Sequence, residues 1–373
     1  ICRLMFKKKI FIITGEPSGD VLAYKVIKNL DIKKYDISGI VGEKLKKLKI
    51  KKCFDNSDIT FFGLKDVLEN IFFIKKKINY TVNYIEKFNP DVVFSVDSPD
   101  FVFRVINKIK KNKKIQPKFL HYVAPTVWAW RESRLLSIKK YIDKIYLLFD
   151  FEKKYFKKFK IKHLFVGHPF FENFKFQKIN ISKKSQNLIT FCPGSRNSEL
   201  NYFLPIFKKV MSKLGSNYTF HIGATKSNYF FLKNYFKNSK LKIIINFEAD
   251  KKEKFYKKSI LCIAKSGTIS LDLCKSQSGI ITIYKFNLLN YFLIKPFVKV
   301  KFINIINIMA NKKIIPELIQ SDCTSEKILD KIYFYLKNKN QITRMISDYN
   351  NILKRISNKS TSKVISKDIK SYL

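Results

Sequence analysis

Apolar residues along this chain fall in short, nearly unbroken runs rather than in strict alternation. KIFIIT (9–14), residues 36–41, DVVFSV (91–96), KFLHYV (118–123), DKIYLLF (143–149) and residues 163–166 are each of strand length and rich in β-branched or aromatic side chains. Segments with helical spacing of apolar positions separate most of them. Unbroken apolar strands alternating with helices predict parallel βαβ units whose sheet is covered on both faces. A second series begins at LITFC (188–192) and continues through 218–223, 241–246, SILCIA (259–264) and GIITIY (279–284), each followed by a helix-like segment.

Between the two series the period is lost. ENFKFQKINISKKSQN (172–187) is rich in Lys and Asn and has no apolar repeat, so it reads as a linker. The pattern predicts an α/β protein of two Rossmann-like doubly wound domains, with functional residues at the carboxyl ends of strands facing a central cleft. Residues 324–373 read as polar helix without further strands.

Two stretches have a stronger apolar bias. In 59–80, Phe61, Phe62, Leu64, Leu68, Ile71, Phe72 and Phe73 adjoin Lys75, Lys76 and Lys77. That composition suits a helix lying in a membrane surface, although a core-facing helix has the same stripe. In 279–297 the run is broken by Lys285, Asn287, Asn290 and Lys295, so a strand plus an amphipathic helix is expected rather than a span of about 18 or more apolar residues.

Charge changes the picture less than its size suggests. Lys+Arg 74 against Asp+Glu 29 gives a formal charge of +45, which invites a nucleic-acid reading. The lysines are scattered over almost every surface-like segment, without a localised stripe or an RNP-like motif, so a solvated basic surface that attracts anionic lipid is the better reading. The cysteines at 2, 53, 192, 262, 274 and 323 form no CxxC pair and no zinc spacing. Free thiols in a reducing compartment are expected, with no metal site and no secretory leader.

Candidate chemistry gathers at strand ends. TGEPSGD (14–20) ends the first strand: Gly15 and Gly19 permit a tight turn, Ser18 can cap the next helix, and the exposed amides suit an anion or a sugar. It matches neither GxGxxG nor a P-loop. VDSPDF (96–101) places Asp97 directly after an apolar strand, where partial desolvation would raise its proton affinity and suit a general base. Both Asp97 and Asp100 as helix caps is the competing reading. HYVAPTVWAWRESR (121–134) starts with His121 at the next strand end and holds Trp128 and Trp130, the chain's two tryptophans, with Arg131 and Arg134. An aromatic wall beside a cation is expected there. FVGHPFF (165–171) puts His168 on a turn beside the linker.

In the second series, FCPGSRNSEL (191–200) sets Ser195 and Arg196 at a turn leading into a helix, an arrangement matched to a pyrophosphate. AKSGTISLD (264–272) adds Ser266, Gly267 and Thr268 as donors to phosphate oxygens, with Asp272 able to accept from a ribose hydroxyl. The two turns together predict a nucleotide-diphosphate pocket that needs no metal.

The ordered set GEPSGD, VDSPDF, HYVAPTVWAWRESR, FVGHPF, PGSRNSE, SGTISLD and FINIINIMA (302–310) resembles the lipid-A-disaccharide synthase family over essentially the whole chain. The resemblance implies a GT-B glycosyltransferase, inverting and independent of metal or other cofactor. It implies transfer of 2,3-diacylglucosamine from its UDP derivative to the 6-hydroxyl of 2,3-diacylglucosamine 1-phosphate, at the cytoplasmic face of the inner membrane of a Gram-negative bacterium. An acceptor and membrane-facing domain over 1–172 is expected, with a C-terminal helix of about 350–373 packing back on it, and a UDP-sugar domain over 173–349. By motif, Asp97 becomes the base, Arg196 the pyrophosphate ligand and Asn307 a donor-site residue. Asp272 stands where the family usually has Glu, and Ile306 where it usually has Pro. A different UDP-sugar transferase or epimerase is the alternative on the same fold, and a basic nucleic-acid-binding protein the alternative of another class.

Overall fold

The computed structural model describes residues 7–59, 70–129, 132–177, 179–285, 300–357 and 360–373, without the side chains of Asn197 and Ser198. It divides into two compact units, 1–174 with 355–373, and 175–354.

The first unit is built on a seven-stranded sheet: β1 (Lys8–Thr14), β2 (Tyr35–Val41), β3 (Lys51–Asp55), β4 (Val92–Val96), β5 (Lys118–Tyr122), β6 (Lys144–Leu147) and β7 (His163–Phe165). Their order is β3-β2-β1-β4-β5-β6-β7, and every pairing is parallel. Both faces are dry. Phe11, Ile13, Val93, Phe119 and Ile145 pack with the helices Ile71–Phe88 and Pro99–Asn112, while Ile10, Ile12, Val92, Phe94 and Leu120 pack on the other side with the helix Pro17–Ile27. That division by odd and even positions is the period-2 geometry of a strand, and it explains why the sequence shows unbroken apolar runs.

The C-terminal helix Thr361–Lys370 completes this second face. Ile365 and Ile369 are fully buried in it, the Ser366 hydroxyl donates to the Val26 carbonyl at 2.6 Å, and Asp368 accepts from Tyr146 Oη at 2.8 Å and from Lys144 Nζ at 2.6 Å. Ile369→Ala is expected to destabilise the first unit by about 3 kcal/mol, the transfer and cavity cost of a buried isoleucine. Urea unfolding checks this, and an unchanged midpoint would mean that the helix is docked only by its polar contacts.

The second unit repeats the architecture with β8 (Ser185–Cys192), β9 (Thr219–Gly223), β10 (Lys242–Asn246), β11 (Ser259–Lys265), β12 (Gly279–Tyr284) and β13 (Glu317–Ile319), in the order β10-β9-β8-β11-β12-β13 and again all parallel. In each sheet the direction of winding reverses once, between β1 and β4 and between β8 and β11. Such reversals open a crevice at the carboxyl ends of the two strands concerned. The four loops that follow these strands are therefore the places to look for a site.

Candidate functional site

At the first reversal the turn after β1 meets the turn after β4. Gly15 has no space for a side chain: a Cβ there would lie 2.1 Å from Ser98 Oγ. Asp97 and Ser98 both have left-handed backbone, with φ of 57° and 48°. Two successive non-glycine residues in that region store strain, a pattern concentrated at functional sites. The strain aims the Asp97 carboxylate back over its own turn, where it accepts from the Ser98 N–H at 2.8 Å, while its own N–H reaches the Tyr122 carbonyl at 3.0 Å. Burial raises the proton affinity of Asp97, with the Ser98 N–H acting against it. Glu16, at the start of the helix Pro17–Ile27, is also raised, by burial and then by the Asp97 charge. A carboxylate with raised proton affinity at a strand end is what a general base requires.

Other residues of these motifs have structural duties. Asp20 is buried and accepts from the backbone N–H groups of Gly42, Lys44 and Leu45, so it ties the loop after β2 to the helix. Ser18 is exposed in the first turn and is not the cap expected of it, because the N-cap is Glu16 and no side chain bonds there. Asp100 is likewise not a cap: Ser98 occupies that position, and Asp100 pairs with Arg134 at 2.6 Å.

The tryptophan loop is corrected most. Trp128 is 8% exposed, packs edge-on against Phe151 at 5.2 Å and donates its indole N–H to Glu152 at 3.3 Å. It is a core residue, not a wall open to substrate. Glu152, which the sequence reading passed over, is itself buried, and its pKa is pushed up to about 7 by that burial against the pull of the Phe149 N–H and the Trp128 indole. Trp130 and Arg131 lie outside the described residues. His121 does not reach a crevice either. It is fully buried on β5, with Nδ1 2.8 Å from Ser95 Oγ and its ring beside Phe103, and burial lowers its pKa to about 4. His168 is half-buried among Phe149, Phe170 and Phe171; its Nδ1 accepts from the Phe170 N–H at 3.2 Å, and burial lowers its pKa to about 4.

At the second reversal, the turns after β8 and β11 enclose a pocket of about 260 Å³ whose lining includes Gly194, Ser195, Lys252, Lys265, Thr268 and Asp272. Gly194 has φ 104°, and a Cβ on it would come within 2.3 Å of Glu199 Oε2. Glu199 wraps this turn, accepting from Lys265 Nζ at 2.8 Å. The fully buried Asn228 holds the same turn from the β9 side, donating to the Gly194 carbonyl at 3.0 Å. Ser195, Gly267 and Thr268 are exposed, and the 18-residue helix Asn197–Leu214 starts beside them. An anion fits this setting, since a helix start supplies free amides and Lys252 and Lys265 supply charge. Asp272 lines the pocket with its proton affinity raised by burial, opposed by Lys252 and Lys275. The Arg196 side chain is 78% exposed and reaches Glu199 at 3.9 Å, and so is free to turn toward a ligand.

Two expected ligand groups are already engaged. The Ser266 hydroxyl donates to the Ile303 carbonyl at 2.8 Å. Asn307 is fully buried, with its amide donating to the Ile315 carbonyl and Glu317 and accepting from the Ile314 and Ile315 N–H groups. All four of its hydrogen-bonding positions are filled, so its side chain braces the loop. Glu317 is the centre of that brace, accepting also from the Ile303 and Asn304 N–H groups. These partners lie 7 to 14 residues apart, on a loop and a short strand that show no periodic pattern of their own.

Two all-parallel Rossmann-like sheets, each with a polar site at its point of reversal, are the architecture of the GT-B fold. The solved structures agree at the level of fold. UDP-GlcNAc 2-epimerase from Neisseria meningitidis, bound to UDP-GlcNAc, superposes with a TM-score of 0.63 at 13% identity, covering 98% of this chain and 100% of that one. MurG of Acinetobacter baumannii does so with a TM-score of 0.53 at 14% identity, covering 98% and 100%. Sequence comparison is more specific. The family model for lipid-A-disaccharide synthetase matches residues 10–369. The lipid-A-disaccharide synthase of Rickettsia bellii (strain OSU 85-389) is 32% identical over 366 residues, 95% of each chain, and that of Rhodospirillum centenum is 30% identical over 336 residues, 86% of this chain and 82% of the relative. The chain belongs to the lipid-A-disaccharide synthetase family.

Proposed function

We propose that this protein transfers 2,3-diacylglucosamine from UDP-2,3-diacylglucosamine to the 6-hydroxyl of 2,3-diacylglucosamine 1-phosphate, forming the β-1′,6-linked disaccharide 1-phosphate and UDP. Membership of the family supports the reaction, and the observation that carries its placement is Asp97, a strained, partly desolvated carboxylate at the β4 end. Asp97 takes the proton of the acceptor hydroxyl as that oxygen attacks the anomeric carbon from the face opposite UDP. The carbon–oxygen bond to UDP breaks in the same displacement, and the configuration inverts. UDP leaves into the second unit's pocket, where Ser195, the Gly267–Thr268 backbone, Lys265 and Arg196 meet the charge that develops on the diphosphate. Donors already in place where charge appears are the most effective form of electrostatic help. Asp272 accepts from the ribose.

Among the described residues no helix is long and apolar enough to cross a membrane. In our reading the protein meets the anionic cytoplasmic face of the inner membrane through the start of the helix Ile71–Phe88. Phe72 there is 85% exposed and Ile71 and Phe73 are exposed beside it, with Lys75 and Lys76 in the next turn. The remaining candidates of this stretch, Phe61, Phe62, Leu64 and Leu68, lie outside the described residues.

The test is direct. Purified protein is incubated with both substrates in detergent with EDTA present, and the products are read by mass spectrometry. A tetraacyl disaccharide phosphate supports transfer without a metal. A C2-epimerised UDP-sugar, or no product from folded protein, would return the site to other UDP-sugar chemistry. In the same assay Arg196→Ala is expected to lower kcat/KM ten- to hundredfold, the loss of one or two charge-assisted hydrogen bonds. An unchanged rate at every donor concentration would remove Arg196 from the diphosphate site.

A further inference from the structure

The second unit carries an exposed aromatic edge that the reaction does not use. The helix Tyr229–Tyr235 packs on the edge strand β10 and is held down by the buried Leu232 and Phe236. Its outer face is left apolar: Phe230 is 73% exposed, Phe231 and Tyr235 are exposed as well, and the Phe231 and Tyr235 rings lie 6.4 Å apart. Lys226, Lys233, Lys237, Lys240 and Lys242 are all exposed around them, and residues 225–245 contain neither Asp nor Glu. Within this stretch no carboxylate offsets the lysines along the sequence.

Among the described residues of this unit, a second exposed aromatic pair is set differently. Tyr333 and Phe334 stand on the helix Ser325–Lys337, which also carries Glu326 and Asp330. Aromatic rings alone would suit many partners. Rings set among uncompensated lysines suit a layer whose surface is anionic and whose interior is apolar, which describes a bilayer of acidic lipids.

We propose that the helix Tyr229–Tyr235 is a second membrane-contact surface, with Phe230 and Phe231 entering the headgroup boundary and Lys226, Lys233 and Lys237 pairing with anionic headgroups. It extends the membrane association proposed above but rests on residues of the other unit, so the two stand or fall separately. The second unit then carries a lipid-contact surface of its own.

The full chain is tested by co-sedimentation with phosphatidylcholine vesicles, with and without phosphatidylglycerol. Phe230→Ser/Phe231→Ser and Lys233→Gln/Lys237→Gln are each expected to weaken partitioning onto the phosphatidylglycerol vesicles by about tenfold. Tyr333→Ser/Phe334→Ser should leave it unchanged, and Phe72→Ser should weaken it independently. Turnover on detergent-solubilised substrates should stay at the wild-type level in both 230s double variants, since these residues are on the surface. Wild-type partitioning in both, whatever Phe72→Ser does, overturns the proposal and leaves the catalytic reading intact, as would a wild type that binds no vesicle. Loss of affinity for a single-stranded RNA oligonucleotide with vesicle binding unchanged would overturn it in favour of nucleic acid.

Discussion

Asp97→Asn is expected to fold normally and to lose about a thousandfold in kcat, the range in which a positioned general base contributes. The substitution is nearly isosteric. The amide oxygen still accepts from the Ser98 N–H that the carboxylate holds at 2.8 Å, so the strained turn keeps its internal bond. What is lost is the ability to take a proton. Pre-steady-state kinetics separates the outcomes: donor binding, assigned to the other unit, should be unchanged while the chemical step slows. The wild-type pH profile carries the same information. Burial raises the Asp97 pKa above the ordinary carboxylate value, and only the ionised form is a base, so activity should rise with pH along an acid limb whose midpoint lies above that of a free aspartate. The limb should vanish in Asp97→Asn. Near-wild-type turnover, or a residual rate with the same limb, would remove Asp97 from proton transfer and leave Glu16 as the group to examine.

The sequence told more about Asp97 than about its neighbours for a physical reason. A strand buried on both faces is written as an unbroken apolar run, so DVVFSV announces both its existence and its end, and a carboxylate at that end is conspicuous. Eleven of the thirteen strands among the described residues were legible in this way. β3 begins with Lys51 and Lys52 at the sheet edge and β13 has three residues, so neither writes such a run. The double-sided burial that exposes a strand also hides which residues face a ligand. His121 looked available because it sits near a strand end, yet both faces of β5 are covered and the imidazole is sealed beside Ser95 and Phe103. Asn307 was expected at the donor site from the family resemblance alone, and its side-chain amide is taken up by Ile315 and Glu317 a short way downstream.

The same limit applies to the anionic pocket. The glycine-serine turns and Asp272 could be read because each follows its own strand. Glu199, Lys265 and Asn228 could not, since their importance comes from bracing one turn against another, Glu199 and Lys265 across the reversal between β8 and β11 and Asn228 from the β9 side. Spacing finds groups that act from the loop they are on; it does not find those that shape a neighbouring loop. This is why the position of charge was legible at the second site while the support for it was not.

Trp128→Ala supplies the second large effect, and it is one of stability. Removing a buried indole is expected to cost about 4 kcal/mol, from lost transfer energy and the cavity left against Phe151. It also takes one donor from Glu152, a buried carboxylate whose pKa already stands at about 7, and an underbonded buried carboxylate is costly in its ionised form. The loss should therefore deepen as pH rises through neutrality, because the folded variant holds its proton more tightly still while the unfolded chain has already released it near pH 4.5. Trp128→Phe shifts the balance between the two contributions: it leaves a smaller cavity but still removes the N–H, so its deficit should be smaller than that of Trp128→Ala and should still grow toward the alkaline side. Urea unfolding across pH measures both, and turnover per folded molecule should change little. A Trp128→Ala protein with wild-type stability and no activity would reverse the assignment and put the indole back against the substrate.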